Sequence, residues 1–200
     1  MVNKELDYSN YKTDKVRNHS YMPVYERIFS DLREKKVSLL EIGVYTGGCL
    51  RMWRDFFPEG SDIEGLDIHC ASLERGLLGD IIVHDVDVLE WSTDKIYDII
   101  IDDASHEAHD QASTLRNLWE NVSKGGMYVI EDVNRTLGPL IEDFVEKNDI
   151  LLEKYDGDTK FSNVGSGDKM WVFRRKLGIG LTLFQKIAKM LSSLKGKNKI

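Results

Sequence analysis

Two short acidic runs offer the most definite chemistry in this chain: Asp102-Asp103, followed by Ala104-Ser105-His106, and Glu131-Asp132. Each ends an apolar run, Tyr97 to Ile101 and Met127 to Ile130, of the kind that forms a strand buried on both faces of a parallel sheet. Neighbouring parallel strands that both finish in acids bring carboxylates to one sheet edge, where like charges must be neutralised by protons or by a metal ion. Asp103, Glu131 and Asp132 therefore form a candidate all-oxygen site for a hard divalent cation. Magnesium suits it, because carboxylates then leave octahedral positions to water or substrate oxygens. The competing reading is that the acids only cap the loops after their strands. His106 is the candidate general base, able to take a proton near neutral pH and so to contribute ~10²–10⁴-fold in rate. His109, one turn later, is the weaker contender.

A second stretch points to a nucleoside ligand. Ser38 to Ile42 is a short buried strand carrying Glu41; Gly43, Gly47 and Gly48 follow, and Leu50, Trp53 and Phe57 then recur at helical spacing until Pro58. A strand that enters a helix through a glycine loop places its ligand at the carboxyl end of an open α/β sheet. The glycine spacing is not that of a dinucleotide fingerprint. Glu41 would repel a pyrophosphate but favour a cationic sulfonium. Ile63 to Asp67 is a second strand ending in an acid, roughly where a ribose-binding carboxylate is expected. This acid-glycine, strand-acid pattern resembles the class I S-adenosylmethionine-dependent methyltransferases. Expected at the cofactor are Glu41, Gly43, Tyr45, Thr46, Gly47, Asp67, Asp85 and Asp102. Asp87 rivals Asp85 near the adenine amine, and Trp91 either packs on the adenine or lies at the surface.

These groups need a sheet to hold them. The expected fold class is α/β: a Rossmann-like, mostly parallel seven-stranded sheet with helices on both faces. Ile81 to Asp85 supplies the third strand, and Ile150 to Leu152 with Met170 to Phe173 supply a closing pair. A helix from Ala108 to Val122 is expected to stop at Gly125-Gly126, and Pro139 to open another through Val145. Tyr21, Val24, Tyr25, Ile28 and Phe29 predict an N-terminal helix that either packs across the sheet or covers the cofactor. The Gly-, Ser-, Asp- and Asn-rich connection Asp156 to Lys169 reads as a surface loop.

Two hundred residues suffice for one domain, expected over residues 1–175, with 176–200 a basic amphipathic tail. The net charge of −7 understates the acidity of the body, since no acid follows Arg174, and an acidic body argues against a nucleic-acid partner. The tail can lie on an anionic membrane surface, contact a partner helix, or dock on the protein itself. No secretory signal is evident at Met1 to Asp7, and Cys49 and Cys70 read as reduced thiols, so a cytoplasmic location is expected, with peripheral attachment at the inner membrane surface as a variant.

Thr13-Asp14-Lys15 with His19 and Tyr21, Leu40-Glu41-Ile42-Gly43-Val44 with Gly47-Gly48, Trp53 to Pro58, Gly65 to Ile68, Asp102 to His106 and Ile130 to Val133 together resemble the magnesium-dependent macrolide-sugar O-methyltransferases, with cephalosporin hydroxylase-like relatives. The resemblance implies S-adenosylmethionine and Mg²⁺, or another hard divalent cation, as cofactors. It implies Asp103, Glu131 and Asp132 as metal ligands, with His106 the base. The acceptor would be a sugar hydroxyl, free, nucleotide-linked or glycan-borne, so the partner is a small molecule or glycan, and a homo-oligomer is compatible. Ala104 and Cys49 depart from the glycine and serine usual in that family. Its macrolide enzymes can also carry an N-terminal domain absent from these residues, so acceptor and assembly do not carry over. Methylation of a catechol-like diol and a silent cofactor-binding scaffold in a glycan assembly complex are the alternatives.

Overall fold

The computed structural model describes residues 6–17, 19, 21–156 and 169–177. A seven-stranded sheet has the order β3-β2-β1-β4-β5-β7-β6, with β1 Ser38–Ile42, β2 Asp62–Asp67, β3 Ile82–Asp85, β4 Tyr97–Asp102, β5 Val122–Ile130, β6 Leu151–Asp156 and β7 Lys169–Arg174. Only β7 opposes its neighbours, pairing antiparallel with both β5 and β6. The helices are α1 Asp14–Arg17, α2 Met22–Ile28, α3 Gly48–Phe56, α4 Ala108–Leu118 and α5 Leu137–Lys147. Among the described residues, no helix is long and apolar enough to cross a membrane.

The central strands are covered on both faces, which is why β1 and β4 read as nearly unbroken apolar runs. On one face α2 and α3 seat Tyr25, Phe29, Trp53, Phe56 and Phe57 against Leu39, Ile99 and Val129; on the other, α4 and α5 seat Leu115, Leu118, Leu137 and Ile141 against Leu40, Ile100 and Tyr128. Register then sets the site. Ile42 pairs with Leu66 and with Asp102, and Asp102 with Ile130. The residues one step further, Gly43, Asp67, Asp103 and Glu131, accordingly share one row at the carboxyl edge.

Two helix boundaries differ from expectation, and α5 begins at Leu137, two residues before the Pro139 expected to open it. Helix α4 ends at Leu118, a 3-10 turn spans Trp119–Asn121, and Gly125-Gly126 lie inside β5. Gly125 adopts φ 87° and its N–H donates to the Arg175 carbonyl at 2.9 Å, while the β4–β5 register shifts between Tyr97 and Ile99. The pair therefore serves a strand irregularity, a second common use of glycine. The expected connection across 157–168 and the basic tail from 178 onward lie outside the described residues.

Candidate functional site

The loop after β1 is shaped by close backbone approach. Gly43 has φ 83°, and a Cβ there would stand 2.1 Å from the Asp103 carbonyl oxygen, so only glycine lets β1 and β4 finish side by side. Asp67 holds the loop from β2: its Oδ2 accepts the N–H groups of Val44 and Tyr45, both at 2.9 Å, and its Oδ1 accepts that of His69 at 2.8 Å. The loop forms one wall of a cavity of about 1120 Å³, which Gly43, Tyr45, Thr46 and Asp67 share with Asp102, Asp103 and His106.

Asp102, Asp103 and His106 line the cavity beside the loop, and Asp132 lies next to Asp103 and His106. The ligand atoms of Asp103, His106 and Asp132 lie within 4.8 Å of one another. His106 Nε2 is 3.2 Å from Asp103 Oδ1 and 3.8 Å from Asp132 Oδ2. The hydrogen bond to Asp103 raises the His106 pKa above its ordinary value, against the opposing effect of partial burial. Burial works to raise Asp103, yet Lys15 and His106 hold it below the usual carboxylate range. Tyr45, His106 and Asp132 are three of the four described non-glycine residues at positive φ, a left-handed conformation that costs on the order of 1–3 kcal/mol each and concentrates at functional sites.

Lys15 was not anticipated as a site residue. Fully buried in α1, its Nζ lies 2.7 Å from Asp103, 2.8 Å from Glu131 and 3.2 Å from Glu41. These acids occupy the ends of β4, β5 and β1 on one face of the sheet. Desolvation would lower the Lys15 pKa, but Asp103 and Glu131 lead a set of neighbours that raise it well above the ordinary value. Tyr25 donates to the same Glu131 oxygen. Tyr21 donates to Asp132 Oδ1 at 2.5 Å, and His19 Nε2 lies 3.8 Å from Asp132 Oδ2. The segment Thr13-Asp14-Lys15 with His19 and Tyr21 stood out in the sequence, but no spacing rule assigns a lone lysine to acids so far along the chain.

Several expected roles shift. Glu41 is buried beneath Lys15 and does not line the cavity; burial pushes its pKa up to about 7, with Lys15 opposing. It is therefore not placed to face a sulfonium. Glu131 is likewise buried behind the wall, raised well above the carboxylate range by burial despite Lys15. Asp102 lines the cavity but accepts from Tyr128 Oη at 2.9 Å, and burial pushes it up to about 7. Asp85 is exposed and outside the wall, whereas its rival Asp87 lines it with Val88 and Leu89. Gly47 begins α3 at φ 85° without lining the cavity. Trp91 packs on the His84 ring at 5.2 Å, and His109 is exposed and away from the wall.

The donor set fits a hard divalent cation. Asp103 and Asp132 present oxygens close together beside His106, and the Glu41–Asp103–Glu131 row meets a single buried ammonium, so further positive charge would be favourable there.

No protein-family model matches the chain. It is 40% identical over 129 residues to the mycinamicin VI 2''-O-methyltransferase of Micromonospora griseorubida, covering 58% of this chain and 32% of that protein. It is 32% identical over 162 residues to the 8-demethyl-8-alpha-L-rhamnosyl tetracenomycin-C 2'-O-methyltransferase of Streptomyces olivaceus, covering 75% and 40%. Among solved structures, the MycE methyltransferase of the mycinamycin pathway, in complex with Mg, SAH and mycinamycin VI, superposes with a TM-score of 0.64 at 26% identity over 89% of this chain and 57% of that one. The chain thus spans roughly a third to two fifths of the length of these curated relatives. The fold is the Rossmann-like methyltransferase fold, and the sequence resembles the sugar O-methyltransferases of macrolide and polyketide glycosides.

Proposed function

We propose that this chain is an S-adenosylmethionine-dependent, divalent-cation-dependent O-methyltransferase domain acting on a sugar hydroxyl. One observation carries the reading: Asp103 and His106 line the same cavity as the glycine loop, and the ligand atoms of Asp103, His106 and Asp132 lie within 4.8 Å of one another. The similarity to enzymes named for methylating sugars of mycinamicin and tetracenomycin supports a sugar borne on a small-molecule glycoside as acceptor.

In this reading the loop from Gly43 to Thr46 and the Asp67 carboxylate cradle the donor, while Asp87 borders its nucleoside end. Asp103 and Asp132 would hold a magnesium-like ion, with Glu131 behind them in the grip of Lys15 and Tyr25. When bound, such an ion supplies Lewis-acid stabilisation to an alcohol too weakly acidic to ionise unaided. His106 takes the hydroxyl proton at the ring nitrogen that Asp103 does not hold, as the new carbon–oxygen bond forms and the donor carbon–sulfur bond breaks. Asp103 keeps His106 oriented and raises its basicity.

The test is methyl transfer to deoxysugar glycosides, followed by mass spectrometry, with excess Mg²⁺ and with chelator. Asp103→Ala should lower turnover on the order of 10²–10⁴-fold, the range lost with a general base and its partner, and chelator should abolish wild-type activity. Turnover that survives both treatments would remove the proposal.

A further inference from the structure

The described residues between Tyr11 and Ile28 cross the carboxyl ends of β1, β4 and β5 as a strap. Its backbone lies close against the glycine loop: a Cβ on Gly48 would stand 2.0 Å from the Lys12 carbonyl oxygen. Its side chains reach four acids, Glu41, Asp103, Glu131 and Asp132. Lys15 bridges Glu41, Asp103 and Glu131; Tyr25 donates to Glu131; Tyr21 donates to Asp132, and the Tyr21 ring stacks on His19 at 5.1 Å. Thr13 Oγ1 lies 3.2 Å from Cys49 Sγ at the start of α3, fixing the strap beside Lys15.

Without these donors the acids have little to hold them in place. Carboxylates on adjacent strands repel, and the only buried lysine among the described residues stands between them. We propose that Lys15, with Tyr21 and Tyr25, is a positioning device: it fixes the orientation of the acids that receive the divalent cation, so that docking of the strap and binding of the cation are thermodynamically coupled. The inference rests on the cation-dependent reading above and extends it to residues that line neither the donor nor the acceptor.

Coupling is reciprocal by necessity. If the strap orients the acids, the cation must in turn hold down the strap. Partners of this kind, one layer behind the ligands, typically change metal affinity about 10–100-fold when removed. Counted formally, with every carboxyl ionised, Glu41, Asp103 and Glu131 facing Lys15 sum to −2, and the formal sum is the same when Lys15→Met is combined with Glu41→Gln. That double variant removes the bridge without changing the formal charge of the centre.

The experiment uses Mn²⁺ as probe and reads binding by electron paramagnetic resonance and hydrogen exchange by mass spectrometry, with no dependence on methyl transfer. In the wild type, saturating Mn²⁺ should slow exchange across 21–28. In Lys15→Met/Glu41→Gln, the Mn²⁺ dissociation constant should rise about 10-fold or more, and the slowing should disappear while S-adenosylhomocysteine still binds. Should the double variant fail to fold, Tyr21→Phe removes one hydroxyl at the partly buried rim, and a dissociation constant raised about 3-fold is expected of it. An unchanged Mn²⁺ affinity in either folded variant, or a wild-type strap indifferent to Mn²⁺, overturns the coupling and leaves the methyltransferase reading standing. A wild type that binds no Mn²⁺ overturns the cation-dependent reading and this inference together.

Discussion

The two walls of the cavity are built by opposite means. On the donor side, one carboxylate, Asp67, holds the loop through backbone N–H groups 22 and 23 residues earlier in the chain. On the acid side, the reactive carboxylates are held by side chains 88 to 111 residues away: Lys15 on Asp103, Tyr25 on Glu131 and Tyr21 on Asp132. The first wall is a local construction that backbone geometry enforces. The second depends on charge balance between distant segments, and so responds to protons and cations as the first does not.

The largest effect should come where the walls meet. Gly43 belongs to the donor loop, yet it touches the Asp103 backbone, so Gly43→Ala forces apart β1 and β4 while imposing φ 83° on a residue with a Cβ. A loss on the order of 3 kcal/mol or more is expected from strain plus overpacking. Urea denaturation measures it, and both S-adenosylhomocysteine and Mn²⁺ binding should weaken together. If only one ligand were affected, the walls would be mechanically independent.

The acid wall should also reveal itself through pH. Burial raises Glu41 and Asp102 to about 7, above the 4.5 and 3.8 of free carboxyls. A raised carboxyl binds its proton more tightly in the folded chain, so its contribution is present at low pH and is lost as pH climbs through about 7. His106, also raised, acts in the same sense above its ordinary 6.5. Asp103, lowered from 3.8, acts in the opposite sense, but its window lies below that value. In chelator, the melting temperature should therefore fall between pH 5 and pH 8 by roughly 5 °C, equivalent to one or two kcal/mol in a chain of this size. Mg²⁺ competes better as protons leave, so the gap between metal-loaded and chelated samples should widen over the same interval. A gap that is constant with pH would mean that the acids do not share the cation's field.

The same contrast explains what was legible in the sequence. The strands, the two covering layers and the glycine loop follow from local patterns: apolar runs, a glycine approach and an acid at the end of the next strand. Asp103, His106 and Asp132 were found because parallel strands deliver their ends to one edge. Glu131 was read into that row and Glu41 into the cofactor strand beside it, both in roles that need an open face, since nothing local shows that α1 and α2 cover them. Lys15 carried no signal of its own, because a buried cation is recognised by its partners and these come from three separate strands. Gly125-Gly126 showed the converse limit, for a glycine pair after an amphipathic run reads alike whether it ends a helix or relieves a strand.

A smaller effect should separate the walls cleanly. Asp67→Asn keeps the shape but sets an amide group against three backbone donors, costing about 2 kcal/mol where charge-assisted hydrogen bonds are lost. Affinity for S-adenosylhomocysteine, read by calorimetry, should drop about 10-fold. Mn²⁺ affinity should stay within about 2-fold, because no residue of the acid wall contacts Asp67 directly.

The finest distinction lies at the nucleoside end, between acids two residues apart. Asp87 lines the cavity, and its Oδ1 accepts the Leu89 N–H at 2.9 Å, which leaves the other oxygen for a ligand. Asp85 is exposed at the end of β3, beside the Cys70 thiol whose pKa it helps to raise after burial. A neutral hydrogen bond is worth about 1 kcal/mol, so Asp87→Asn should weaken S-adenosylhomocysteine binding roughly 3–5-fold and Asp85→Asn should leave it unchanged. Calorimetric titration of both variants decides between them. The reverse ranking would place the adenine on the far side of the β3 end, and the donor wall would then extend beyond the loop that Asp67 holds.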